Sequence, residues 1–244
     1  MENNKNAYLI PASIILASII IGYAWVNSPQ KSITTGQKNI ENSPSIAQSI
    51  ELPVVWEDLG ARMISAGVID RAQFEAVYES RGGLSDAEKQ LLEDSQNSKL
   101  KVTQENSGLW LNLLWAFGLG NKNEILEKGP MTDPRYGGAG NFASTGGWTL
   151  ANGGAMNHYG KHLFVVLTPE QQALVEKTSK NIYRPCCSNP AYFPDCNHGM
   201  AMLGLLELLA SQGASEDQMY QSARQMNSFW FPDQPQGGGG GCVA

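Results

Sequence analysis

The chain has 244 residues, carries a formal net charge of −6 and has no cluster of lysine and arginine. Phosphate backbones are recognised by a concentrated positive face, so this charge balance argues against nucleic acid as a partner. The length fits one membrane segment and one domain of about 180 residues, which is large enough to bury a hydrophobic core without staples.

The N-terminal region contains a segment that predicts membrane insertion. Residues 8–26 form a run of 19 without a charged side chain, which is long enough to cross a bilayer as a helix. Tyr8, Tyr23 and Trp25 lie near its ends, as interfacial aromatic residues do. We expect residues 1–27 to be an uncleaved transmembrane anchor that contacts the lipid bilayer. A cleaved signal peptide is the alternative, although the run is long for one and no clear cleavage site follows.

The arrangement of the anchor predicts the compartment of the domain. A short N-terminal tail before a large C-terminal domain favours export, although the charges that flank the anchor do not decide the orientation. We therefore expect an extracytoplasmic domain, where disulfides can form. Residues 28–52 are polar and predict a flexible linker. A helical domain is expected over 53–232, and a flexible glycine-rich tail over 233–244.

Helix signals in the first half of the domain predict a mainly α fold. Residues 54–66 place apolar side chains at helical spacing. Asp70 is the expected N-cap of a second helix, and Ser85 begins a capping box for a third. Residues 106–119 are apolar nearly all round, which predicts a buried helix that ends at Gly120.

The second half of the domain continues this pattern. Residues 121–128 predict a short helix. Thr168, followed by Pro169, predicts a helix that continues to about Tyr183. A further helix is expected from Asp195 or Cys196 to Ser211, and Ser215 starts the last one.

Residues 131–160, the glycine-rich segment, interrupt the helices. They contain eight glycines but match neither the dinucleotide-binding nor the P-loop pattern. We interpret the segment as irregular backbone whose aromatic side chains, including Phe142 and Trp148, pack into the core. The alternative is a loop that closes over a functional site, since long loops in compact domains are often functional.

The chemistry of the chain is concentrated around the start of the helix that is expected to end at Ser211. Cys186, Cys187, Cys196 and His198 fall within 13 residues. Thiolate and imidazole are the ligands that zinc, copper and iron centres select, so this cluster predicts a transition-metal site. The spacing is not that of a zinc ribbon. Because consecutive side chains diverge, we expect only one of the two adjacent cysteines to bind the ion.

Two features extend this prediction. If Asp195 is the N-cap, Cys196 is the first residue of a helix, whose positive end favours a thiolate. His158 and His162 are four residues apart and would share a face if helical, so they are candidate additional metal ligands.

Other functions remain open at this stage. A disulfide from Cys186 or Cys187 to Cys196 would make a stapled interaction or scaffold domain without a cofactor. Cys242, in the glycine-rich tail, is either a free thiol or the partner of the remaining cysteine of the cluster. The same cysteines could also serve a thiol oxidoreductase, although the chain has no C-x-x-C motif. Glu207, alone on an apolar helix, is expected at a solvent-facing edge. No residue pattern identifies a reaction, so the sequence leaves open whether the protein is an enzyme.

Overall fold

The structure is a computed structural model that describes residues 49–233 of the chain. The predicted anchor at 8–26 lies outside the described residues, as do most of the linker at 28–52 and nearly all of the tail at 233–244. Within the described range, no helix combines the length and the apolar character that crossing a membrane requires.

The prediction of a mainly α fold is confirmed, since 54% of the described residues are helical and 11% lie in strands. Short 3-10 turns connect several of the helices. The α-helices of this part of the chain are, in order, α1 Leu59–Ser65, α2 Arg71–Ala76, α3 Asp86–Glu93, α4 Ser107–Gly120, α5 Glu124–Lys128, α6 Ala143–Gly146, α7 Pro169–Ser179, α8 Asn197–Ser211 and α9 Glu216–Trp230.

Two strands, β1 Ser49–Glu57 and β2 Gln96–Thr103, form an antiparallel pair that the sequence did not predict. The expected helix over 54–66 is therefore wrong for its first four residues. Leu52, Val54 and Trp56 are buried at alternate positions, which is the period of a strand rather than a helix. The strand also begins inside the range predicted as linker.

Four predicted helix starts are confirmed by their capping bonds. Asp70, Ser85, Thr168 and Ser215 each accept a hydrogen bond from the backbone N–H three residues further on. At the last three of these caps, the glutamate or glutamine at that position returns a bond to the cap backbone. These reciprocal bonds satisfy donors that a helix N-terminus otherwise leaves unpaired.

The centre of the core is the packing of α4 against α8. Both helices are apolar, and Gly118 faces Gly204 where their backbones approach most closely. The helices α6, α7 and α9 and the strand β1 also pack on α8. Met200 and Met202 are fully buried in this interface, so they fill the core. The apolar character of α8 therefore follows from its central position.

The glycine-rich segment consists of short 3-10 turns and the single-turn helix α6, which confirms the prediction of irregular backbone. Trp148 is buried and its Nε1 donates to the carbonyl of Val68 at 2.8 Å. Phe142 packs edge-on against Phe193, with ring centroids 5.4 Å apart. The segment thus contributes Trp148 to the core and, through Phe142, contacts Phe193 in the loop that precedes α8.

Candidate metal site

Residues 184–196, the cysteine loop, fold back on themselves before α8 begins. The backbone N–H of Ser188 donates to the carbonyl of Arg184 at 2.9 Å, and that of Ala191 donates to Ile182 at 2.8 Å. Ser188 has a φ of 57°, a left-handed conformation that non-glycine residues adopt rarely and mostly in turns. This turn directs the adjacent cysteines towards the start of α8.

The turn brings three sulfur atoms together. The Sγ atoms of Cys186, Cys187 and Cys196 all lie within 4.8 Å of one another, and all three residues are partly exposed. This differs from the expectation that only one of the two adjacent cysteines can reach the site, since both of their sulfurs lie near that of Cys196. Since zinc–sulfur bonds are about 2.3 Å long, a shared ion requires the sulfurs to close by only about 1 Å.

Arg184 holds the loop together from inside. Its side chain is 0% exposed. The guanidinium Nη1 lies 2.8 Å from the Sγ of Cys196 and 2.7 Å from the Oδ1 of Asp195. Nε donates to the carbonyl of Asn189, and Nη2 donates to the carbonyl of Phe193. One buried side chain therefore bonds both halves of the loop.

The space for this guanidinium depends on Gly199 in the first turn of α8. A Cβ at this position would lie well inside 3.0 Å of Nη1 of Arg184, a separation that real Cβ atoms essentially never show. The absence of a side chain at Gly199 is therefore a condition for the contact between Arg184 and Cys196.

The start of α8 differs from the prediction by one residue. Cys196 is the N-cap and Asn197 the first helical residue, because the carboxylate of Asp195 is engaged by Arg184 and by the Nδ2 of Asn189 at 2.9 Å. Burial raises the pKa of the Cys196 thiol, and the positive charge of Arg184 opposes this rise without cancelling it. The expectation of a thiolate-like Cys196 is therefore wrong, since desolvation outweighs the nearby charge.

His198 lies next to the loop, but its ring faces α9. Its ring centroid is 4.5 Å from that of Phe231 and 5.8 Å from that of Trp230. Burial lowers the pKa of His198 to about 4, and the charge of Arg184 adds to this shift. The donor atoms that converge in the described part of the chain are the three sulfurs, and the imidazole of His198 is not among them.

His158 and His162, the histidine pair, contact each other elsewhere in the fold. Nδ1 of His158 is 3.1 Å from Nε2 of His162, and Nε2 of His158 is 3.0 Å from the carbonyl of Asn152. His158 follows the 3-10 turn Ala155–Asn157, and His162 forms a β-bridge with Asn121, so the two residues do not lie on the α-helix that the spacing suggested. The rings are close to parallel, with centroids 5.3 Å apart, so the two nitrogens face each other as in a hydrogen bond.

The histidine pair is attached to the C-terminal end of α4. The backbone N–H of His162 donates to the carbonyl of Gly120, and the neighbouring Asn121 bonds Glu207. Glu207 follows Cys196 by eleven residues, which is about 16 Å along α8 at 1.5 Å per residue. The structure therefore does not bring the pair together with the cysteines.

Glu207 is 0% exposed, so its expected position at a solvent-facing edge is wrong. Its Oε2 accepts a hydrogen bond from the Nδ2 of Asn121 at 2.6 Å, while Oε1 is buried without a hydrogen-bond partner. The Oδ1 of Asn121 accepts from the backbone N–H of Val165. Burial raises the pKa of Glu207 well above its ordinary value, and the amides of Asn121 and Asn123 oppose the rise only in part.

A groove of about 590 Å³ lies between α5, α7 and the segment before α7. Leu163 and Val166 border it and are 62% and 72% exposed. Its carboxylates are each paired with a lysine, so they present no uncompensated charge to a ligand. These pairs are Glu124 with Lys128, Glu127 with Lys122, and Glu176 with Lys180.

Arg184, Asn189 and Gly199 take part in the contacts that shape the cysteine loop, and the sequence did not single them out. The one available signal was an arginine two residues before a pair of adjacent cysteines, in a stretch otherwise poor in charge. No family model, no curated protein and no solved structure matches the chain. The functional conclusion therefore rests on the chemistry of the cysteine loop.

Proposed function

We propose that the domain binds one transition-metal ion, zinc, copper or iron, through Cys186, Cys187 and Cys196. The observation that supports this most is the convergence of three sulfurs within 4.8 Å in a partly exposed loop. Thiolates are preferred ligands of Zn²⁺, Cu(I) and iron–sulfur centres. Because a bound thiol must lose its proton, binding releases protons into solution.

Three converging sulfurs favour a metal over the two alternatives. One disulfide uses only two of the three sulfurs, so the disulfide alternative requires a second bond from the remaining cysteine of the loop to Cys242 in the tail. A thiol oxidoreductase is less favoured because the chain lacks the C-x-x-C motif of the common redox thiol pairs. An ion that binds all three sulfurs explains why the loop gathers them.

The location of the site remains a proposal that rests on the sequence. Residues 8–26 carry the apolar run from which we propose a membrane anchor with an extracytoplasmic domain. Extraction of membranes with alkaline carbonate tests the anchor, and we expect the full-length protein to stay in the pellet. Recovery in the supernatant at the mass of a cleaved form would favour the signal-peptide alternative.

Metal analysis of the full-length protein tests the metal site. The protein is purified anaerobically without a chelator, and its metal content is compared by native and denaturing mass spectrometry. We expect about one equivalent of metal in the wild type and in Cys242→Ser, and close to none in the triple variant Cys186→Ser, Cys187→Ser, Cys196→Ser.

Two outcomes would contradict the proposal. Retention of less than about 0.2 equivalents by the wild type, even after metal is added back, would rule out a resident ion. Alkylation of the unfolded, unreduced protein that labels no cysteine would favour the disulfide-stapled domain instead.

A further inference from the structure

The surroundings of the three sulfurs supply no obvious fourth ligand from the described residues. Oδ1 of Asp195 forms an ion pair with Arg184, and Oδ2 accepts a hydrogen bond from the Nδ2 of Asn189. The ring of His198 packs against the aromatic residues at the end of α9. The two side chains that flank Cys196 and could bind metal are thus already held in other contacts.

Hydrogen bonds from the side chain of Arg184 hold the loop in shape. Arg184 bonds the carbonyls of Asn189 and Phe193 and the Sγ of Cys196, so it joins the part of the loop after Cys187 to the part before α8. Because these bonds fix both ends of the loop, an ion enters a site whose donor set is already determined.

We infer that this site selects a soft cation that three sulfurs satisfy, and that it binds Cu(I) in preference to Zn²⁺. The inference rests on the proposed function and specifies its ion. Zinc in structural sites is almost always bound by four ligands, so a three-sulfur site leaves one of its positions to water. Cu(I) combines a preference for thiolate with acceptance of three-coordinate geometry. Binding exchanges three thiol protons for one Cu(I).

Arg184 is a specificity-determining residue in this site. Three thiolates give a Cu(I) complex a charge of −2 and a Zn²⁺ complex a charge of −1, by simple addition of charges. A fixed positive charge 2.8 Å from the Sγ of Cys196 therefore stabilises the Cu(I) complex more than the Zn²⁺ complex. Gly199 supports this role, since it leaves the guanidinium its space.

Competition between chelators measures the preference. The probes are Cu(I), added anaerobically with a colorimetric Cu(I) chelator, and Zn²⁺, added with a colorimetric zinc chelator. Full-length Cys242→Ser is used throughout, so that only the three cysteines of the loop are present. We expect one Cu(I) per chain, bound at least about 100-fold more tightly than Zn²⁺, and X-ray absorption that shows three sulfur ligands and no nitrogen.

Substitutions at His198 and Arg184 test the ligand set and the charge separately. We expect His198→Gln to leave the Cu(I) affinity within about twofold, because the imidazole is not a ligand. Arg184→Gln should lower the ratio of Cu(I) to Zn²⁺ affinity by about tenfold or more, and Arg184→Lys, which keeps the charge, should recover part of the ratio. Arg184→Lys also serves if Arg184→Gln does not fold.

The outcomes distinguish this inference from the proposed function. Equal or tighter binding of Zn²⁺, a nitrogen ligand in the absorption spectrum, or a large loss of Cu(I) affinity in His198→Gln would overturn the inference and leave a metal site in place. An unchanged affinity ratio in a folded Arg184→Gln protein would overturn the role of Arg184. Failure to bind Cu(I), Zn²⁺ or iron would overturn the proposed function itself.

Discussion

Gly118 of α4 and Gly204 of α8 lie face to face, with no room for a side chain between them. A Cβ at Gly204 would lie 2.5 Å from the carbonyl oxygen of Leu114 and 2.9 Å from the backbone nitrogen of Gly118. Contacts this short with backbone atoms cannot be relieved by a change of rotamer. The two glycines therefore set the separation of the helices at the centre of the core.

Substitution of either glycine should push these helices apart. We expect Gly204→Ala to lower the free energy of unfolding by about 1–3 kcal/mol, the usual range for overpacking a core. Gly108 is a matched control in α4, since a methyl group added there would meet nothing within 4 Å. Gly108→Ala should instead raise stability by about 0.5–1 kcal/mol. Urea denaturation measures both, and equal effects would contradict the close approach.

The buried carboxyl of Glu207 should make stability depend on pH. Burial raises the pKa of Glu207 in the folded state above its ordinary value of 4.5. The protonated side chain therefore contributes its full stabilisation of the fold below about pH 4.5, and this stabilisation is lost as the pH rises towards the folded-state pKa. Glu207→Gln replaces the carboxyl with an amide that does not ionise, so this source of pH dependence is removed. We expect this variant to match the wild type near pH 4 and to be more stable by about 1–3 kcal/mol at pH 8.

Unfolding by urea at several pH values tests this prediction. Glu124→Gln, on the exposed side of α5, is the matched control and should change stability little at any pH. A Glu207→Gln protein whose stability parallels the wild type from pH 4 to 8 would show that Glu207 is ionised in the fold.

Asn121 should be important for stability because it serves two partners at once. Its Oδ1 accepts from the backbone of Val165, and its Nδ2 donates to Glu207. Asn121→Ala removes both bonds and leaves the buried Oε2 of Glu207 without its partner, which costs about 1–3 kcal/mol; the part-buried N–H of Val165 adds less. Asn97→Ala on the exposed face of β2 is the control and should be nearly neutral. A loss below about 0.5 kcal/mol in Asn121→Ala would mean that water replaces the amide.

Gly199→Ala should disturb the metal site without touching a cysteine. The added methyl group displaces the guanidinium of Arg184 and with it the contact to Cys196. We expect metal affinity, measured by chelator competition, to fall by about tenfold or more. Gly154→Ala is the control, since its backbone is extended and nothing lies near the new methyl group. Equal metal affinities in the two variants would show that the position of Arg184 does not affect metal binding.

The parts of the fold that the sequence predicts correctly are those set by local interactions. The caps at Ser85 and Thr168 depend on residues three positions apart, so the pattern is visible in the chain. The all-round apolar character of α4 and α8 likewise predicts their burial. The turn before α8 could be recognised as a candidate metal site because its cysteines are close in sequence.

The parts that the sequence does not predict depend on distant partners. The pairing of Ser49 with Thr103 joins residues more than fifty positions apart. The two strands are not linked by a short hairpin turn, so no local pattern in the sequence indicates that they pair. Glu207 is buried because Asn121, from another helix end, provides a bond. From the sequence alone, Arg184 would be expected on the surface, but the folded loop buries its side chain. Each case requires knowledge of which segments meet, which local patterns do not contain.

Polar contacts fix α8 at two points, through Cys196 to Arg184 at its N-terminus and through Glu207 to Asn121 in its last third. One residue inserted or deleted between them would turn one point relative to the other by about 100°, the angle per residue of an α-helix. Either the thiol or the acid would then face the wrong neighbour. The spacing of eleven residues is therefore expected to tolerate substitution far better than any change of length.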